Sequence, residues 1–149
     1  KQGFAVAKFN NLTTDGSMTS DATHPDMDVF MLRKAEAYLI VAEAAARQGQ
    51  WPKATEMVKV LRDRANATPK EVKTLKDILD EWGREFYFEG HRRTDLIRFN
   101  MFGGNTGYNW QWKGGEYAGR NFEAYRNVFA IPSSDIVANK NLKQNDGYK

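Results

Sequence analysis

Residues 30–49, FMLRKAEAYLIVAEAAARQG, followed by residues 51–65, WPKATEMVKVLRDRA, decide the fold. The first stretch is rich in Ala, Leu and Glu, and Ala35, Leu39, Ala42 and Ala46 recur at helical spacing along one face. That predicts a helix, and Gly49 is its natural stop. Pro52 suits the first turn of a second helix, whose stripe is Ala54, Val58, Leu61 and Ala65. Small alanines on both stripes let two helix axes approach closely, so a tight antiparallel hairpin is expected. Its turn, Gly49 then Trp51 then Ala54, resembles that of a tetratricopeptide repeat. A single such pair cannot bury its own faces, so further helices must cover it or neighbouring repeats must exist.

Downstream, a third helix is expected over residues 71–89, with Val72, Leu75, Ile78, Leu79, Trp82 and Phe86 on its apolar side. Gly90 ends it, and a short fourth helix over residues 93–99 presents Leu96, Ile97 and Phe99. Residues 4–9, FAVAKF, have the pattern of a short strand, and the polar residues 10–28 carry Gly, Pro and Asp breakers that mark a loop. Residues 101–128 are rich in glycine and aromatics and read as a long irregular segment, of the kind that is more often functional than decorative. Residues 127–132, NVFAIP, read as a strand or extended segment, followed by a turn of helix near Ser133 or Ser134. The fold class is mainly α, a helical hairpin plus two further helices and long irregular loops.

Composition narrows the function. With 149 residues, 41% hydrophobic and 28% charged, the chain has the make-up of one globular domain or part of one. Its 22 Lys and Arg against 19 Asp and Glu leave a charge of +3, but acids interrupt the basic residues, as in Arg62-Asp63-Arg64. No basic tract is present for nucleic acid. There is no cysteine, hence no disulfide framework or thiolate metal site, and His24 and His91 sit in no ligand-spaced motif, so neither a metal nor a cofactor is expected. No apolar run approaches the roughly 20 residues of a membrane span.

The densest chemistry lies in residues 81–99, EWGREFYFEGHRRTDLIRF. Glu81, Glu85 and Glu89 are spaced i, i+4, i+8 on the expected third helix, and three carboxylates on one face repel unless cations answer them. Arg62 and Arg64 at the end of the second helix are the nearest candidates, with Arg92, Arg93 and Arg98 beyond Gly90; Asp95 can meet Arg92 or Arg98. A glycosidase would use two such acids, one of them with a raised pKa. Abundant arginines hold carboxylates ionised, so a structural ion network linking the helices is the favoured reading. GxSxG, GxxxxGK[ST] and HExxH motifs are absent, and no catalytic residues are expected.

Four segments resemble the SusD/RagB family in order and spacing. LRKAEAYLIVAEA at 32–44 is similar to its R-x-A-E-x-Y-L-x-x-A-E-A helix, VLRDRA at 60–65 to V-x-x-R-x-R-A, and EFYFEGHRRTDLIR at 85–98 to E-L-x-F-E-G-x-R-x-x-D-L-x-R. AIP at 130–132, then Asn139, Asn141, Leu142 and QNDGY at 144–148, are similar to P-I-P closing with N-x-x-L-x-Q-N-x-G-Y. Where the family commonly has arginines after the first glutamate of the third motif, this chain has Trp82-Gly83-Arg84, and Gly83 costs roughly 1 kcal/mol of helix stability. The resemblance implies the C-terminal part, residues 1–149, of a longer tetratricopeptide-like protein. It further implies an outer-membrane lipoprotein of Bacteroidota, surface-exposed and held by a lipid anchor outside these residues. Such a protein captures glycans, or in some members peptides, for a SusC-type TonB-dependent transporter.

Within the chain, residues 105–121, NTGYNWQWKGGEYAGRN, mix aromatic faces with amides and charges as sugar binding requires. Tyr108, Trp110, Trp112 and Tyr117, with Asn105, Asn109, Gln111, Arg120 and Asn121, are the candidate ligand contacts. In an extended segment the alternating aromatics 108, 110 and 112 would face one side as a platform. The alternative is that they close the apolar side of the hairpin, or touch the transporter. The resemblance places most ligand contacts of the family in loops upstream. A helical-repeat scaffold without a small-molecule ligand is the alternative function, and a carboxylate hydrolase is third.

Overall fold

A computed structural model describes residues 8–148 except 14, 22 and 25. The chain divides into two compact units, Lys1–Arg33 and Lys34–Lys149.

In the first unit the described residues are irregular. Leu12 and Met18 form an isolated antiparallel bridge around a turn in which the Thr13 hydroxyl and the Ser17 amide (3.0 Å) both donate to Asp15. Asn11 Nδ2 donates to the carbonyls of Asp21 (3.0 Å) and His24 (3.2 Å) and holds the rest of the loop. Residues 4–7 of the expected FAVAKF strand lie outside the described residues, and Lys8 and Phe9 sit in a bend. Val29, Phe30, Met31 and Leu32 are exposed and not helical. The first helix therefore starts four residues later than residue 30, because a helical extension without a surface to bury against lacks the packing that sustains short helices.

The second unit is helical: α1 (Lys34–Arg47), α2 (Trp51–Arg64), α3 (Leu75–Glu85), α4 (Arg92–Arg98) and α5 (Ser133–Ala138). α1 and α2 pack as the expected hairpin, with Ala35, Leu39, Ala42 and Ala46 of one buried against Ala54, Val58 and Leu61 of the other. Ala65, expected on the second stripe, is exposed, since α2 has already ended there. Gly49, at φ 75°, closes α1 in a Schellman motif, in which the Gln50 amide donates to Ala45 O (2.8 Å) and the Gly49 amide to Ala46 O (3.0 Å). Asn66 (φ 49°) and Asn100 (φ 57°) end α2 and α4 in the same way.

α3 is shorter at both ends than residues 71–89. At its start Thr74 and Asp77 form a capping box, so the turn-forming polar pair overrides the apolar Val72, which is buried outside the helix with its amide on Thr55 Oγ1 (2.9 Å). At its end the chain leaves the helix at Phe86, and Phe88 (φ 62°) and Gly90 (φ 81°) take left-handed conformations that turn it into α4. Gly83 has a structural use: a Cβ there would stand 2.8 Å from Arg92 Nη1, which donates to the Leu79 carbonyl (2.8 Å).

Burial alone would raise the pKa of Asp77, but the Lys70 ammonium (2.8 Å), the Thr74 hydroxyl and the amides of Lys73 and Thr74 together hold it well below the usual carboxylate range. A lowered folded pKa contributes stability that is present above the ordinary carboxylate value and lost as pH falls through the folded one. Asp77→Asn is therefore expected to lose less melting temperature than the parent between pH 5 and pH 2. Equal acid sensitivity of the two would refute the assignment.

Of the two forms expected at residues 127–132, strand or extended segment, the chain takes the second: a tight 3-10 turn at Ala124–Asn127 leads into an extended stretch with no strand partner among the described residues. Side chains of the tail supply its hydrogen bonds. Gln144 accepts from the Ile131 amide (2.8 Å) and donates to the Ile131 carbonyl (2.9 Å). Asn145 Nδ2 donates to Phe129 O (2.7 Å), and the Tyr148 hydroxyl to Val128 O (2.6 Å). The QNDGY motif is thus a side-chain staple that satisfies backbone groups a sheet would otherwise occupy.

Candidate functional site

The charges of residues 81–99 make two clusters, one as expected and one centred on a residue the expectation left out. α3 and α2 are joined by Arg62 Nη1 to Glu81 Oε2 (2.9 Å) and by Arg64 Nη2 to both oxygens of Glu85 (2.7 Å each). Glu81 is buried and is also held by Arg84. Glu89 lies in the turn past the helix, so the i+8 position does not share the face. Arg92 donates to Leu79 O and to the Tyr108 hydroxyl (2.6 Å), and Arg93 is sandwiched between the rings of Phe102 (4.4 Å) and Phe129 (4.0 Å) with its Nη2 on Arg126 O (2.7 Å).

The second cluster is built on Glu43 of α1. Its buried carboxylate accepts from Arg98 Nε (2.9 Å) and Nη2 (3.0 Å), from Arg47 Nε (2.9 Å) and from Trp82 Nε1 (3.0 Å), tying α1, α3 and α4 to one group. Asp95 pairs with Arg98 (3.0 Å), one of its two expected partners; burial pushes its pKa up, against the pull of Arg98. Glu43 was legible in principle, since it stands four residues from Leu39 and three from Ala46, on the buried face of its helix. An acid at such a position needs cations from elsewhere.

Residues 105–121 fold back on themselves rather than running extended, and the single platform expected from 108, 110 and 112 does not form. Trp112 takes a left-handed φ of 65°, which breaks the alternation that would have aligned the three rings. Three edge-on contacts result. Tyr108 meets Trp110 (centroids 6.0 Å) and Trp110 meets Phe122 (6.4 Å); Tyr108 is half-buried against the core while Trp110 remains 41% exposed. At the tip Trp112 meets Tyr117 (5.5 Å), and these rings are 63% and 64% exposed, open to a partner. Gln111 Nε2 donates to the Tyr117 hydroxyl (3.3 Å), Asn121 Nδ2 to Asn105 Oδ1 (3.0 Å), and Arg120 faces Glu116 (3.5 Å).

Under these rings lies a residue the sequence did not flag. Lys113 is 1% exposed, its Nζ donating to Tyr108 O (3.1 Å) and Asn109 Oδ1 (3.1 Å) and lying 5.0 Å from the Trp110 ring centroid and 5.1 Å from that of Phe122. Burial pushes its pKa down. Its backbone completes the fold of the loop, the amide donating to Trp110 O (3.1 Å) and the carbonyl accepting from the Arg120 amide (3.0 Å). Gly119 makes this close approach possible, since a Cβ there would lie 2.3 Å from Trp110 O. A lysine between tryptophan and glycines gives no periodic sign of burial.

Tyr108 and Trp110 also form one wall of a groove of about 610 Å³, whose other walls include Trp82, Phe86, Tyr87, Phe88 and Arg92. Tyr87 and Phe88 were not singled out in the sequence; both are exposed, 4.8 Å apart edge-on. Among the described residues no three His, Asp or Glu side chains converge as metal ligands, and no helix is long and apolar enough to cross a membrane.

Comparison with known proteins agrees with these motifs. The SusD family model matches residues 1–148. The starch-binding protein SusD of Bacteroides thetaiotaomicron is 49% identical over 148 residues, 99% of this chain, and the chain spans 26% of that relative's length. Among solved structures, a candidate sugar-binding protein from Bacteroides vulgatus superposes with a TM-score of 0.67 at 29% identity, over 89% of this chain and 31% of that one. A SusD-like protein from Bacteroides fragilis gives a TM-score of 0.67 at 22% identity, over 90% of this chain and 29% of that one, a likeness that speaks to the fold alone.

Proposed function

The chain belongs to the SusD family, and from that premise we propose that it is part of a cell-surface glycan-binding component of a nutrient-uptake complex. In this reading the whole protein is an outer-membrane lipoprotein without catalytic activity that hands its ligand to a SusC-type TonB-dependent transporter. The observation that carries the reading is the 49% identity, over nearly the whole chain, to a relative named for binding starch. The ion clusters fit it from the other side, since Glu43 and Glu81 are each engaged by two arginines, the arrangement of a structural ion network.

Within this chain the exposed rings of Trp112, Tyr117 and Trp110, with the exposed Asn109 in the same loop, are the part best suited to lie against a sugar. Asn105 and Arg120 stand at the rim of the same loop with their side chains engaged by Asn121 and Glu116. Starch-type glucans are the first ligands to try. Protein made from the complete gene is expected to be retarded in gels containing amylopectin and to leave the polymer intact. Trp112→Ala with Tyr117→Ala is expected to weaken retention about fivefold at unchanged melting temperature, the scale of one lost aromatic contact. Retention on peptides in place of every polysaccharide, or turnover of the glucan, would sink the reading. Unchanged retention in the double variant would remove the loop from the site.

A further inference from the structure

The hydrogen-bonding sense of the loop is decided by Lys113. An ammonium carries donors only, so the Asn109 atom 3.1 Å from Lys113 Nζ is the carboxamide oxygen. That contact, with the second to Tyr108 O (3.1 Å) and the two rings about the cation, fixes the oxygen inward. Asn109 is an exposed residue preceding Trp110 in the chain, and its NH2 donates to no group among the described residues, so the donor end of the amide is free for a ligand. We infer that Lys113 acts as a positioning residue that makes Asn109 a hydrogen-bond donor, and not an acceptor, towards a ligand lying on Trp110. The loop then selects for an oxygen acceptor at the edge of the ring it stacks, such as a sugar hydroxyl or ring oxygen. This rests on the proposed contact between the loop and a glycan.

Two substitutions separate the sense of the amide from the shape of the loop. Asn109→Asp keeps an acceptor for Lys113 and replaces the outward donor by a carboxylate oxygen. Lys113→Met keeps an unbranched side chain one atom shorter but leaves the carboxamide free to turn. With maltoheptaose as probe and protein from the complete gene, calorimetric affinity is expected to fall about tenfold or more in Asn109→Asp, as for a site polar group left facing the wrong partner. Amide exchange over residues 108–120 should stay as slow as in the parent. In Lys113→Met the affinity falls less, and in NMR spectra the Asn109 NH2 loses the single environment it has in the parent. The parent itself should show Asn109 NH2 protons that exchange rapidly with water.

Full affinity in Asn109→Asp alongside a loss in Trp110→Ala would overturn the inference alone. Full affinity in Trp110→Ala would overturn the ligand reading of the loop and this inference with it. Slow exchange of the Asn109 NH2 would place it inward and refute the assignment directly.

Discussion

Glu43→Ala is expected to destabilise the protein by roughly 3 kcal/mol, at the lower end of the cost of breaking a buried ion pair. The carboxylate side chain is 8% exposed and is the common acceptor for Arg98, Arg47 and Trp82 Nε1. Removing it takes the acceptor from the indole N–H of the buried Trp82, while the two arginines, each 40% exposed, recover part of their hydration. That recovery is why the loss falls at the low end. Arg64→Ala is the control. Arg64 is 56% exposed while the Glu85 side chain is 9% exposed, so removing the outer, hydrated partner is expected to cost about 1 kcal/mol, less than removing the buried acceptor Glu43. Urea unfolding of the two variants compares them on one scale; equal losses would show that position in the network, and not burial, sets the cost.

Trp82→Ala is expected to cost roughly 3–5 kcal/mol, the range for deleting a large buried aromatic. Its ring is 3% exposed, lies 5.2 Å from Phe86, and has the Arg98 guanidinium 5.1 Å from its centroid. It is therefore packed against α3's own end while bonded to α1. Trp82→Phe keeps most of that packing and removes only the N–H, so a loss of about 1–2 kcal/mol is expected. In a Glu43→Ala background Trp82→Phe should cost less, because the donor has already lost its acceptor, with a coupling of about 1 kcal/mol. Additive losses in the double-mutant cycle would argue that the hydrogen bond contributes nothing beyond packing.

The helical hairpin was legible because its information is local. Alanines and leucines at 3.6-residue spacing, Gly49 at the stop and Pro52 in the first turn each act within a few residues, and the structure places the chain as they specify. The ends of α3 were not legible in the same way. Its apolar stripe runs on through Val72 and Phe86, but a capping box at Thr74 and a left-handed Phe88 cut the helix at both ends. Periodicity reports which face is buried, and a helix boundary depends on which group satisfies the terminal amides.

The same division runs through the candidate site. Residue types alone determined that the charged stretch is rich in arginine–carboxylate partners, that residues 105–121 hold the aromatics, and that the motifs are those of the SusD family. Only the tertiary structure decided which arginine meets which acid, that Glu43 and not Glu89 belongs to the buried set, and that of the three alternating rings Tyr108 packs on the core while Trp110 and Trp112 stay exposed. Pairing across 19 to 55 residues is set by where the helices cross, and the orientation of Trp112 by one left-handed dihedral. Neither quantity is written in spacing along the chain. Lys113 is the sharpest case: as a letter it is an ordinary surface cation, and it becomes the buried pin of the loop only because Gly119 lets the backbone fold close enough to enclose it.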